Sequence, residues 1–449
     1  GKTACLQTVA HAAKAAGLRV ELCAPSGKAA SRLKQATGFD GKTIHRLLRL
    51  DPEGNAEYNA ENPYPADLFI VDESSMVDVY LMQHLLRALP ESASLLLVGD
   101  DQQLPSVGPG RIFGDIVDSG VVPVGRLTEN RRQGGASDIA IGASRVISGR
   151  LPSSIPKGEP VVEPLPEAAD FFSTQWVQTS RSETALPVPV LLESIRQDIR
   201  DWMDRGIPVE HIQVLTPQKS GSMGVEALNG EMTALLNPAQ KQPERLPKVC
   251  REPLRLGAIN GEPLWWRVGD RVIQVKNDYE HEVFNGDMGV VLWTDAGEPG
   301  ERKPSIGVYF EQGDLPVWKD TLEYVQSFRP SIPWTQWSLA DLREVGVQMS
   351  AGDRGKIVWY ESEQVLRVRH AGVLTIHKTQ GSEYPYVLML LHTSHHFMAS
   401  RPLLYTGMTR AKKGLRLYAA ESSARKAVRN QGQTRDTMLH RILTGSQIV

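Results

Sequence analysis

Asp67-Leu-Phe-Ile-Val-Asp72-Glu73-Ser-Ser-Met76 is the stretch that decides the fold. Four consecutive apolar residues run straight into two acids. A strand with one wet face would alternate polar and apolar residues. An unbroken apolar run fits a parallel strand covered on both faces. Ligands of open α/β sheets bind outside the carboxyl ends of such strands, and Asp72 and Glu73 stand at that end. Of two acids so placed, one can hold Mg²⁺, usually through water, and the other can orient and deprotonate an attacking water. A helix cap with acids in its first turn would account for the same pair.

A second apolar run follows in Ser94-Leu-Leu-Leu-Val-Gly99-Asp100-Asp101-Gln102-Gln103-Leu104-Pro105. A glutamine after such a strand can reach a γ-phosphate and sense its loss. A polar turn punctuated by Gly99 and Pro105 is the plainer reading. Upstream, Gly1-Lys2-Thr3 opens a helical pattern that ends at Gly17, followed by strand-like residues to Ala24. Gly-Lys-Thr at a helix start is the second half of a phosphate-binding loop. The glycine-rich first half does not precede it here, so a longer protein whose loop is completed upstream is expected. A second copy, Gly41-Lys42-Thr43, has no strand before it and is not read as a phosphate loop.

Composition removes other classes. The 449 residues are 41% hydrophobic and 23% charged, ordinary globular usage. Fifty Lys and Arg against 52 Asp and Glu leave a net charge of −2, which excludes a globally basic nucleic-acid coat but not a local basic channel. The apolar runs are too short to cross a bilayer, so no membrane association is expected. Cys5, Cys23 and Cys250 form no disulfide framework and no pair has metal-ligand spacing, which points to a reducing, cytoplasmic setting. His392, His395 and His396 cluster without a Cys or acid at suitable spacing, and a solvated loop is the expected reading.

Several segments in order resemble a superfamily 1 helicase. Ala24-Pro25-Ser26-Gly27-Lys28-Ala29-Ala30 and Thr43-Ile44-His45-Arg46-Leu47-Leu48 resemble its strand-contacting motifs. Leu127-Thr-Glu-Asn-Arg131-Arg132-Gln133 resembles the arginine motif that reaches ATP. Val373 to Glu383 and Leu404 to Ala411 resemble the last two motifs. Within that superfamily the chain resembles the RecD-like helicases of the 5′-to-3′ branch, on Val214-Leu-Thr-Pro217-Gln-Lys219-Ser-Gly221, Val268 to Tyr279 and Phe284-Asn285-Gly286-Asp287-Met288-Gly289.

The resemblance implies an α/β fold: two RecA-like P-loop NTPase motor domains with parallel sheets, and a small SH3-like β-barrel inserted in the second. Residues 1–130 are expected to form the first motor, with a pin or an ordinary surface loop at about 50–66. Residues 131–267 and 370–449 would form the second, and 268–369 the barrel, where Asn285-Gly286 signals a tight turn. Residues 311–356 are longer and richer in tryptophan than the barrel requires.

It also implies an ATP-dependent, 5′-to-3′ DNA helicase with ATP and Mg²⁺ as cofactors. Gly1, Lys2, Thr3, Gln103, Arg132, Glu383 and Arg410 would bind the nucleotide, with Thr3 and Asp72 on Mg²⁺. Lys2, Asp72, Glu73, Gln103, Arg132 and Arg410 form the catalytic set, with Arg131 as the alternative to its neighbour. Arginines of this kind are worth roughly 10³–10⁵ in rate. Ser26, Lys28, Thr43, His45, Lys276, Asn277, Tyr279, His377 and Gln380 are the DNA-contacting candidates. Trp265, Trp266, Trp334 and Trp337 could stack on bases or pack inside the protein. The expected partners are single-stranded DNA and 5′-tailed duplex. Single-strand-binding or recombination proteins are further candidates, the expected state is a monomer, and the setting is DNA repair and recombination. A translocase of the relaxase–helicase type and a non-catalytic DNA-binding fragment are the alternative readings.

Overall fold

Strands β1 (Val20–Ala24), β2 (Gly41–Thr43), β3 (Leu68–Val71) and β4 (Ser94–Leu97) form a parallel sheet of order β2-β1-β3-β4. The deciding run is therefore an inner strand, with Val71 in register with Cys23 on one side and Leu97 on the other. Its side chains divide between two cores. Ile70 joins Leu22 and Ala24 against Leu6 and Ala10 of helix α1 (Lys2–Ala15) and Ala29, Ala30 and Leu33 of α2 (Gly27–Thr37). Phe69 and Val71 join Cys23 on the opposite face, against α3 (Ile44–Leu48) and helix Val79–Ala88. Helices on both faces explain why the run has no polar alternation. Arg19 fastens the start of the sheet, donating from Nε and Nη2 to both carboxylate oxygens of Asp67 at 3.0 and 2.7 Å.

The computed structural model describes residues 2–51, 53–127, 138–152, 154–155, 173–178, 188–237, 239, 243–259, 261–278, 280–311, 316–349, 355–432, 435 and 437–445. Two compact units emerge, Gly1–Ala185 with Ile376–Val449, and Leu186–Thr375. In the first, a further parallel set runs through Tyr384–Leu391, Ala411–Ala419, Ser173–Gln178 and Ser154–Ile155, hydrogen-bonded in that order. Val387 to Leu391 are fully buried, again an unbroken apolar strand. Ser400 caps the next helix, Arg401–Met408, by accepting from the Leu403 N–H, and Pro402 occupies its first turn. Gly41-Lys42-Thr43 is strand β2 and not a phosphate loop, as the sequence suggested. Gly41 is required there, because a Cβ would fall 2.4 Å from the Ala30 carbonyl oxygen. A small antiparallel bridge joins Leu50 to Ala56, and Tyr58 and Tyr64 meet edge-on at 4.7 Å beside the core.

The second unit holds a five-stranded antiparallel sheet in the order Gly355–Glu361, Ser305–Glu311, Met288–Asp295, Arg271–Gln274, Val368–His370. One face buries Val291, Ile306, Val308, Phe310, Val358 and Tyr360 with Trp266. The other buries Leu292, Trp293, Tyr309 and Ile357 under helices Trp318–Gln326 and Leu339–Met349. Trp334 and Trp337 belong to that second core at 6% and 3% exposure, and Trp266 is fully buried against the His370 ring. Helices Trp318–Gln326 and Leu339–Met349 with Trp334 and Trp337 thus roof the sheet, and the indoles of Trp266, Trp334 and Trp337 pack instead of stacking on bases. Trp265 alone of the four is exposed. Beside this sheet, Ile212–Thr216 pairs in parallel with Val373–Thr375, and Leu254–Ile259 forms a hairpin with Glu262–Trp266.

Because Phe69 is buried among both sheet and helix partners, Phe69→Ala is expected to cost about 3–5 kcal/mol. Urea unfolding checks this, and a loss below about 1 kcal/mol would contradict an inner strand.

Candidate nucleotide and strand site

The parallel registers bring four chain segments to one edge. The Asp72 N–H donates to the Cys23 carbonyl at 3.0 Å, and the Ser74 N–H to Val98 at 2.8 Å. So the acids follow β3 directly between the ends of β1 and β4. Asp72 Oδ1 accepts the Glu73 N–H at 2.9 Å. Glu73 itself sits at φ +51°, a left-handed conformation that costs a non-glycine residue on the order of 1 kcal/mol. Its Oε2 is buried and has no hydrogen-bond partner among the described residues. A strained backbone that holds an unsatisfied carboxylate oxygen at a strand end is poor structural economy and good preparation for binding a water. Lys2 opens the 14-residue helix α1, whose free N–H groups suit an anion. A helix start with a lysine, two acids beyond a strand and an unpartnered carboxylate oxygen together fit a nucleotide phosphate with a hard cation.

Gln103 is the hinge of a buried polar network. Its Nε2 donates to Asp100 Oδ2 at 3.0 Å, and its Oε1 accepts from Arg410 Nη2 at 3.3 Å. The same Asp100 oxygen accepts the Tyr405 hydroxyl at 3.0 Å. Burial, with the Asp100 carboxylate beside it, pushes the Tyr405 phenol well above its ordinary value, so it remains a donor. Arg410 is 4% exposed. Its Nη1 donates to the Thr379 and Ser382 carbonyls at 3.2 and 2.9 Å, and its Nε to Thr406 at 3.0 Å. The neighbouring backbone is tied as well. The Leu104 N–H donates to Thr406 Oγ1 at 2.8 Å, and Gln380 Nε2 to the Leu104 carbonyl at 2.8 Å.

The strand-contacting candidates of the first unit separate by what their polar atoms do. Ser26 caps α2 through the Ala29 N–H, and Thr43 caps α3 through the Arg46 N–H. Lys28 Nζ lies 5.8 Å from the Tyr384 ring centroid, which brings the α2 start to the segment after Gln380. Glu383 pairs with Lys412 at 3.3 Å. The His377 ring is partly buried, and that burial holds its pKa below the ordinary imidazole value. His45 is exposed on α3. His392 caps a short turn, and His395 is buried at 1%. No group of three or more His, Cys, Asp or Glu that could hold a metal occurs among the described residues.

In the second unit Lys276 is exposed, and Asn277 Oδ1 accepts the Asn285 N–H at 2.9 Å, which orders the Asn285-Gly286 turn. Gly1, Arg131, Arg132 and Tyr279 lie outside the described residues, as does the side chain of Thr3. Sequence reasoning missed Asp100 and Tyr405 as site residues, although both stand in quoted motifs. Their contact spans 305 positions and leaves no local pattern. Glu73→Gly relieves the backbone strain and removes the orphaned oxygen. It is expected to raise unfolding stability by about 1 kcal/mol in urea; a loss of that size would mean the carboxylate is structural.

Residues 1–155 match the AAA domain family, 370–418 the UvrD-like helicase C-terminal domain, and 228–310 the ATP-dependent RecD-like DNA helicase SH3 domain. The ATP-dependent RecD2 DNA helicase of Deinococcus radiodurans is 30% identical over 439 residues, 98% of this chain and 48% of that protein. The RecBCD enzyme subunit RecD of Mycolicibacterium smegmatis is 29% identical over 437 residues, 92% of this chain and 64% of that protein. The chain thus spans about half the length of the first relative and under two thirds of the second. The crystal structure of Bacteroides Pif1 bound to ssDNA aligns with a TM-score of 0.46 at 15% identity, over 95% of this chain and 88% of that one. Among the described residues no helix is long and apolar enough to cross a membrane. Matched along its length by an AAA domain, a UvrD-like helicase C-terminal domain and a RecD-like helicase SH3 domain, the chain belongs to the RecD-like helicases.

Proposed function

We propose that the chain is the motor of an ATP-dependent DNA helicase that moves 5′ to 3′ on single-stranded DNA and opens 5′-tailed duplex. Two observations support the reading: the buried link between Gln103 and Arg410, and Glu73 Oε2 beyond β3, buried without a partner among the described residues. In this reading Lys2 pairs with the β- and γ-phosphates of ATP. Thr3 and Asp72 would hold Mg²⁺, which supplies positive charge to the phosphate oxygens when bound. Glu73 accepts a proton from the attacking water. Its Oε2 is suited to that task because no donor among the described residues competes for it. Gln103 reports the γ-phosphate, and Arg410 with Arg132 stabilises charge in the transition state. Because Gln103 also holds Arg410, loss of the γ-phosphate frees one end of that link. Glu383, which pairs with Lys412, is assigned to the nucleotide in the same reading.

The DNA side is assigned to Ser26, Lys28, Thr43, His45, His377 and Gln380, with Lys276, Asn277 and Tyr279 from the second unit. The motor-by-motor division at 1–130, 131–267 with 370–449, and 268–369 is part of the same proposal, with 50–66 as a pin at the fork. A monomer in the cytoplasm, working beside single-strand-binding or recombination proteins, completes it.

Three measurements test these roles. Steady-state ATP hydrolysis by the protein carrying its full phosphate loop is expected to fall at least 100-fold with Lys2→Ala or Glu73→Gln, within the range for a lost catalytic group. Full-rate hydrolysis by Glu73→Gln would remove the proposed base. Lys28→Ala is expected to lower the slope of log K against log salt for single-stranded DNA by about 0.7, the share of one phosphate contact. His377→Ala, which removes a ring that is uncharged at neutral pH, should weaken binding with that slope unchanged. A slope change at His377 would mean that the ring binds as a cation.

A further inference from the structure

Gln103 runs directly into Leu104-Pro105-Ser106-Val107-Gly108-Pro109-Gly110. Two prolines, two glycines and a Val107 that is 87% exposed give this loop few side chains with which to fix itself. Its first residue is held by Thr406 and Gln380, and the Pro109 carbonyl accepts the Val79 N–H at 3.0 Å. Its middle is held from far along the chain. Arg435 Nη1 donates to the Gly108 and Gly110 carbonyls at 2.5 and 2.6 Å and to Ser106 Oγ at 3.1 Å, and Nη2 donates to the Ser106 carbonyl at 2.6 Å. The guanidinium fork meets three carbonyls with donors held in a fixed plane, which the single rotatable ammonium of a lysine does not provide.

The arginine is itself anchored. Thr437 Oγ1 donates to the Asp115 carboxylate, and helix Met438–Thr444 packs on helix Ile112–Ser119 with Leu439 against the core. The loop also presses on the acid side of the site. A Cβ at Gly108 would fall 2.0 Å from Asp78 Oδ2, and Asp78 caps the helix that comes after Glu73. One guanidinium thus fixes the segment that joins Gln103 to the Asp78 cap.

We propose that Arg435 is a positioning residue for ATP turnover: it fixes loop 104–110 so that Gln103 faces Arg410 and the γ-phosphate. This rests on the motor reading above. In the protein carrying its full phosphate loop, Arg435→Ala is expected to lower kcat about tenfold with KM for ATP within about threefold. Arg435→Lys should recover part of the loss. In a Gln103→Ala background, Arg435→Ala should change kcat less than about twofold, because both substitutions remove the same step. Hydrogen exchange without nucleotide should speed at least tenfold at the Leu104 and Val79 amides and stay unchanged at Phe69. Additive kcat losses in the double variant, or unchanged exchange at Leu104, overturn the proposal. Faster exchange with wild-type kcat overturns the positioning role alone. Absence of ATP turnover in the wild-type protein overturns the motor reading itself, while the exchange result still decides whether Arg435 holds the loop.

Discussion

The structure depends on how one buried charge is satisfied. Arg410 is 4% exposed, and a guanidinium so removed from water is tolerable only when its donors are matched. Here they are met by the carbonyls of Thr379, Ser382 and Thr406, the Thr409 hydroxyl and the Gln103 amide oxygen. The carbonyls come from the turn before strand Tyr384–Leu391, the strand's own approach, and helix Arg401–Met408. All must be in place together. The Gln103 oxygen comes from the segment that follows β4 of the first parallel sheet, so its withdrawal would take an acceptor away from a buried guanidinium. That asymmetry gives a small movement of one side chain energetic weight, about 1–3 kcal/mol for a donor left unmatched.

The acid edge is built on the opposite principle. Around Arg410 every donor finds an acceptor; at Glu73 a buried oxygen finds none among the described residues, on a residue held at φ +51°. Tight satisfaction on one side fixes geometry, and deliberate dissatisfaction on the other leaves a place for a substrate group. The parallel sheet makes both possible, since its registers hold Val71 between Cys23 and Leu97 whatever conformation the acids beyond β3 adopt.

Much of this was legible in the sequence because it is local. An apolar run ending in Asp72-Glu73 declares a doubly covered strand, and the strands of the inserted sheet lie where β-branched and aromatic residues cluster. Gln103 and Arg410 were legible as types at the right places in ordered motifs. What was not legible is long-range pairing. Tyr405 meets Asp100 across 305 positions and Arg435 meets Ser106 across 329, and neither separation has a periodicity. The tryptophans were ambiguous for a different reason. An indole has the same signature in sequence whether it roofs a sheet or stacks on a base, and only burial separates Trp334 and Trp337 from Trp265.

The most direct test of the link between Gln103 and Arg410 is the stimulation of ATP turnover by single-stranded DNA, measured for wild type and Gln103→Ala with nucleotide affinity followed in parallel. DNA is expected to raise wild-type turnover many-fold. Gln103→Ala is expected to remove most of that stimulation while ATP affinity stays within about threefold, as happens when an interaction is used in the transition state and not in the ground state. A Gln103→Ala protein that DNA stimulates as strongly as wild type would contradict that use of Gln103.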